Sequence, residues 1–352
     1  MLNVHRGTIV AIAMTLALGF ACSKGGKGIS GNAAQPTILA SLPKTTGYAM
    51  GFSFTKLYGT KIWERLLPKV IEKNKEEFAE MKELCAIDPT HDFERLVMVG
   101  DEGFDHDKTL LFVQGKIDEE KVNKCITALA QKKGKKVDIK KDGKITEYAS
   151  DENKFYSGWA APNIAVVSPS DKGKDYLSEV LAGKTHAKDN AAFSAMLAKA
   201  DTDATMWGAV VAPKDGPGAA MFANMGGTEK PAAGYMTLVF TKDLDANMGV
   251  RFPTEAGAKD LTDKVNKQAD ALKAQPFIGD YIKSLQVSAA QTDAVLKLHL
   301  TEQQIDSLMA LLESNLGGML GGMGDMGTGD DDDDVPQPAA LPVQGLPTTP
   351  GQ

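Results

Sequence analysis

The chain has five histidines, and His106 stands among several acids. The stretch "DEGFDHDK" (101–108) gathers Asp101, Glu102, Asp105, His106 and Asp107. Hard carboxylate oxygens of this kind can surround a divalent cation. The spacing does not match an EF-hand loop, and the stretch falls between two apolar runs, so it reads as a solvated hairpin loop. His5, His91, His186 and His299 are scattered. "HDF" at 91–93 has no Ser or Cys partner that spacing identifies. There is no G-x-S-x-G, no H-E-x-x-H and no C-x-x-C. Met319, Met323 and Met326 carry soft thioethers of the sort that take copper(I), but their setting is glycine-rich and lacks His. The run Asp330–Asp334 reads as a solubilising tail rather than a calcium site. Trp63, Trp159 and Trp207 could line an apolar groove, yet each lies in an expected helix or strand, which favours core packing. The residues therefore assign no catalytic group, no metal ligand and no cofactor.

Cys22 is different. Residues 1–7 carry Arg6 and no acid, and an apolar run follows from Ile9 to Ala21. That run is shorter than the roughly 20 residues a membrane span needs. A basic start, a short apolar stretch and a small residue at the end are the parts of a secretory signal, so residues 1–21 are expected to be removed. "Leu18-Gly19-Phe20-Ala21-Cys22" resembles the bacterial lipoprotein box, with Phe20 where a small residue is usual. The resemblance implies a diacylglycerol on the Cys22 thiol and an acyl chain on the new amino terminus, enough hydrophobic anchors for stable attachment. Ser23 follows, where Asp would signal inner-membrane retention, so the resemblance implies the outer membrane. Residues 22–37 are small, polar and glycine-rich and read as a tether. "GGKGISG" within them lacks phosphate-loop spacing.

With Cys22 assigned to lipid, Cys85 and Cys125 remain. An exported chain meets an oxidising compartment, where an even remainder invites a bridge. Phe78, Met81 and Cys85 share one helical face, and Val122, Cys125, Ile126 and Leu129 another. A disulfide is expected, with two buried free thiols as the alternative. The whole chain carries net charge −7. Six Asp and no Lys or Arg lie in the tail, so the body is close to neutral and has no basic footprint for nucleic acid.

Periodicity supplies the elements that must position these residues. "GYAMGFSF" (47–54) reads as a strand. Thr60 can cap a helix carrying Trp63, Leu66, Leu67, Val70, Ile71 and Phe78, kinked by Pro68 and ended by "IDP" (87–89). Strands at 93–100 and 108–115, a helix capped by Asp118, a hairpin turning at Asp142-Gly143 and another at Pro162-Asn163 follow. The second half echoes the order: a strand at 204–212, a hairpin at 235–252, a helix capped by Thr254, a hairpin at 284–300. Thr301 and Gln304 form a capping box for a last helix. The fold class is α+β, two related modules of antiparallel sheet covered by long helices, an order that also admits one continuous curved sheet. The expected organisation is a signal peptide at 1–21, a tether at 22–37, modules at 38–169 and 170–316, and a disordered tail at 317–352.

That order, together with "LCAIDPTHDFERLVMVG", "VQGKIDEEKVNKC", "GWAAPNIAVVS" and "LAGKTHAKDNAAFSAML", resembles a group of uncharacterised bacterial exported lipoproteins with a domain of unknown function. The resemblance covers about residues 40–315 and carries over no catalytic residue. Three roles follow as expectations. The first is a lipid-anchored, non-catalytic structural or interaction module of the envelope, with the membrane and an envelope protein as partners. The second is a carrier or sensor of an apolar ligand in a groove between sheet and helices. The third is an unrecognised hydrolase.

Overall fold

A computed structural model describes residues 34–310 apart from residues 152, 184–185, 214–218, 220–221, 223–228 and 276–277. Cys22, the leader, the Met319–Met326 segment and the Asp330–Asp334 run lie outside the described residues. The described residues up to Asp306 belong to one compact unit; those at 307–310 are helical and belong to a second.

The first unit is built on one twelve-stranded sheet, antiparallel at every step. Its strands are β1 (Thr46–Ser53), β2 (Phe93–Asp101), β3 (Leu110–Gly115), β4 (Asp138–Asp142), β5 (Ile145–Ala149), β6 (Lys154–Ala161), β7 (Ile164–Ser168), β8 (Met206–Val211), β9 (Ala233–Phe240), β10 (Leu244–Arg251), β11 (Gln286–Ala290) and β12 (Asp293–Leu300). Across the sheet they run β11-β12-β10-β9-β8-β1-β2-β3-β7-β6-β5-β4. The order 1-2-3-7-6 on one side matches 8-9-10-12-11 on the other. Each half is a three-strand meander, then a helix, then a hairpin that returns beside the third strand. The first half adds the hairpin β4–β5. The halves share hydrogen bonds at the β1–β8 join, so the sheet is continuous.

Helices cover both faces. On one face lie α1 (Ala34–Ser41), α6 (Lys174–Ala182) and α7 (Ala191–Leu197). On the other lie α2 (Phe54–Leu57), α3 (Lys61–Lys73), α4 (Lys75–Cys85), α5 (Glu119–Lys132) and α8 (Glu255–Lys273). A short helix α9 (Ile278–Ile282) precedes β11. The caps read from the sequence form. Thr60 Oγ1 accepts from the Trp63 N–H, the Asp118 carboxylate from Lys121 and Thr254 from Gly257. In the capping box Gln304 Oε1 accepts from the Thr301 N–H and Thr301 Oγ1 from the Gln304 N–H.

Two expectations change. The tether was expected to reach residue 37, but α1 begins at Ala34. Pro36 sits in the first turn, where its missing N–H costs nothing, and Ile38 and Leu42 anchor the segment with no exposed surface. The helix from Thr60 was expected to run as one to residues 87–89. It is two: α3 passes through Pro68 to Lys73 and is parted from α4 at Asn74, whose side-chain amide donates to the Val70 carbonyl and whose φ of −120° leaves the helical region. Asn competes for backbone groups in this way, which explains the break there.

Candidate functional site

The acidic stretch after β2 is ordered by its own hydrogen bonds. Asp101 Oδ1 accepts from the N–H groups of Gly103 (3.1 Å) and Asp105 (3.0 Å), and Oδ2 accepts from Lys108 Nζ at 2.9 Å. Glu102 turns away to Asn190, and Asp105 accepts from the Asp107 N–H. Asp107 faces Ser170 and Lys172, and the Ser170 hydrogen bond above all holds its carboxyl below the usual range. His106 is exposed. The lysine ammonium takes the position a cation would need, and among the described residues no three His, Cys, Asp or Glu side chains gather as a metal set.

The remaining described histidines serve local structure. The Thr90 hydroxyl donates to Asp88 Oδ1 at 2.5 Å, and His91 Nδ1 lies 2.8 Å from Thr90 Oγ1. With the hydroxyl proton committed to Asp88, Nδ1 is the donor, and the imidazole does not act as a base toward Thr90. Burial alone would raise the Asp88 carboxyl, but bonds from Thr90 and Lys82 outweigh it and hold the pKa down. His186 Nδ1 meets the Ala40 carbonyl of α1, and His299 pairs with Asp245 on exposed strands. Two Ser-x-x-Lys spacings, which can mark a nucleophile and which sequence reading passed over, occur at Ser41–Lys44, where Ser41 Oγ donates to the Thr37 carbonyl, and at Ser53–Lys56. The side chains separate: Ser53 meets Thr55, and Lys56 bonds Asp203 at 2.7 Å.

Cys85 and Cys125 are joined, closing a loop with a sequence separation of 40. The bridge ties the end of α4 to α5 over an apolar cluster of Phe54, Ile87, Phe93, Ile117 and Ala165. Trp159 packs on that cluster, while Trp207 and Trp63 are 1% and 5% exposed, so the core reading of the tryptophans holds. A second buried centre is Asp293 at the start of β12. It receives Arg251 Nε at 2.7 Å, Arg251 Nη2 at 3.2 Å and an ion pair from Lys199.

What sequence reading missed lies on the sheet. Directly opposed residues of antiparallel strands share a face. On the face under α1, α6 and α7, Ala49, Val97, Val99, Leu110, Phe112, Val166, Trp207 and Ala209 are each at most 2% exposed. The opposite face carries an equally apolar row. Leu296, Met248, Met236, Gly208, Met50, Met98, Leu111 and Val167 are successive cross-strand partners on eight strands. At ~4.8 Å per strand the row is roughly 34 Å long. Met50 and Met248 are 37% and 38% exposed, and Met98, Met236 and Leu111 are half-buried. The parallel row through Leu238, Met206, Phe52 and Leu96 is apolar too. The cluster under α4 and α5 closes this face at one end, and α8, packed on Phe252 and Ala294, closes it at the other. Between them Leu57 and Trp63 pack on Phe52 and Phe240 of the same face, and Met50 and Met248 stay exposed. The signal of the row was present: "LVMVG", "AMGFSF" and "YMTLVF" are apolar at both alternations, the pattern of strands with two apolar faces. A separate open depression of about 300 Å³ on α5, lined by Asn123, Lys124, Thr127, Ala128 and Gln131, is shallow.

No family model matches the chain, and no curated protein matches it. A solved structure described as "Structure of crystal form I of TP0453" is similar at 10% identity and a TM-score of 0.41, over 78% of this chain and 97% of that one.

Proposed function

We propose that the protein is a lipid-anchored, non-catalytic interaction module of the cell envelope, and that the open sheet face binds an aliphatic chain. The observation that carries the reading is the methionine-bearing row. Apolar residues on the opposite face are shut away from water, whereas Met50 and Met248 here keep more than a third of their surface and Met98, Met236 and Leu111 in the same row are only half-buried. Large exposed apolar patches on soluble domains mark binding surfaces. Unbranched thioether side chains adapt to irregular apolar partners. The row from Leu296 to Val167 has no charged member, so it favours a ligand recognised by length and apolarity. This joins the module and carrier roles, with Cys22 holding the module at a membrane, the outer one by the lipoprotein resemblance.

Two measurements test it. A dye-labelled C16 fatty acid is expected to bind the mature chain saturably, and Met50→Glu with Met248→Glu to weaken that binding at least tenfold with little change in melting temperature. Equal binding by the double variant removes the open face as the site. Mass spectrometry of the native protein is expected to find an amino terminus at Cys22 with added acyl mass. A free Cys22 thiol defeats the anchoring.

A further inference from the structure

The sheet ends in two edge strands of opposite chemistry. β4 is "DIKKD", with four charged residues in five, and β11 is "QVSAA", with none. Charges on an edge prevent further strands from adding, and β11 lacks that protection. The geometry points to β11 as the contact through which two copies of this chain pair, edge to edge and antiparallel, about a two-fold axis at Ser288.

The register supports a second copy as the occupant. Gln291 and Thr292 form a two-residue turn, which makes Ala290 and Asp293 the closing pair of the β11–β12 hairpin. The backbone groups of Ser288 and Gln286 therefore point at β12, and those of Val287 and Ala289 point outward. Among the described residues, the Val287 carbonyl meets only the Asn266 amide, in a long 3.5 Å contact. About an axis at Ser288, Val287 of one copy lies opposite Ala289 of the other, and the two such pairs exchange four backbone hydrogen bonds. Val287 and Ala289 share the apolar face, so that face continues unbroken across the axis, with Ser288 opposite Ser288 on the other face. The same operation on β4 sets Lys140 against Lys140 and Asp138 against Asp142, like charges in direct opposition. A β4–β11 contact would propagate head to tail without closing; the charged edge disfavours it, and the self-complementary edge closes a dimer.

A five-residue contact with small side chains gives a weak dimer, below the roughly 800 Å² per partner of standard interfaces. Sedimentation of the mature chain in detergent-free buffer, without its lipid, is expected to show a reversible doubling of mass between about 1 and 200 μM. Ser288 is exposed, so Ser288→Lys and Ser288→Glu leave the monomer folded, with melting temperatures near wild type. Each alone is expected to stay monomeric, and an equimolar mixture of the two to regain the dimer. A wild type that is monomeric throughout overturns the inference. So does a Ser288→Lys variant that dimerises like wild type, or a mixture that fails to restore pairing.

Discussion

Reducing the Cys85–Cys125 bridge lowers the unfolding free energy by about 4 kcal/mol, the chain-entropy value for a loop of this length. The closed loop is not peripheral. Residues 85–125 contain β2 and β3, two strands near the middle of the sheet, so the bridge restricts the unfolded chain where non-local pairing must be found. Both cysteines are buried, at 4% and 7% exposure, in an apolar cluster that is expected to stay packed when they are reduced. The effect is therefore carried mainly by the unfolded state. Urea unfolding of the oxidised and reduced chains, with Cys85→Ala/Cys125→Ala as a third sample, reads it directly. A difference under about 1 kcal/mol would mean that packing alone holds α4 on α5 and that the bridge adds little.

Asp293→Asn is the second large loss, about 2–3 kcal/mol. Removing one partner of an enclosed ion pair costs roughly 3–5 kcal/mol because the other charge stays buried. Here Arg251 and Lys199 keep 29% and 38% of their side-chain surface and recover part of the loss through water. The substitution also leaves a pH signature. Burial alone would raise the Asp293 carboxyl, but hydrogen bonds from Arg251 and Lys199 outweigh it and hold the pKa below its ordinary 3.8. A depressed carboxyl contributes its stability above that ordinary value and loses it as pH falls through the folded value. Wild type should thus lose stability below about pH 4 more steeply than Asp293→Asn. Parallel acid-unfolding curves would remove Asp293 from that account.

Nearly every strand was legible because alternation and turn chemistry are local. Pro162-Asn163 turns where expected, the Asp142-Gly143 turn falls one residue later at Gly143-Lys144, and Thr60, Asp118, Thr254 and Thr301 cap where expected. Counting cysteines was enough for the bridge once Cys22 was set aside. Lateral order was not legible. The β1–β8 join, the return of β7 to β3 and that of β12 to β10 are hydrogen-bonded pairings between distant segments, and no local pattern announces them. The open row was hidden for the same reason. Its members come from eight strands and become neighbours only through register. The break at Asn74 was missed because it rests on one side-chain amide, and α1 because two buried aliphatic anchors overrode the signal of a polar, small-residue segment.

Three glycines in the sheet face aromatic rings. A methyl on Gly51 would strike the Trp207 indole; on Gly100, the Tyr48 ring; on Gly249, the Tyr235 ring. Each pair spans neighbouring strands, on both faces of the sheet. The bare hydrogen is thus one half of a lock whose other half is the largest side chain nearby. Positions that look interchangeable in the primary structure are among the least replaceable, and in any drift of this sequence a glycine and its aromatic partner must change together or not at all.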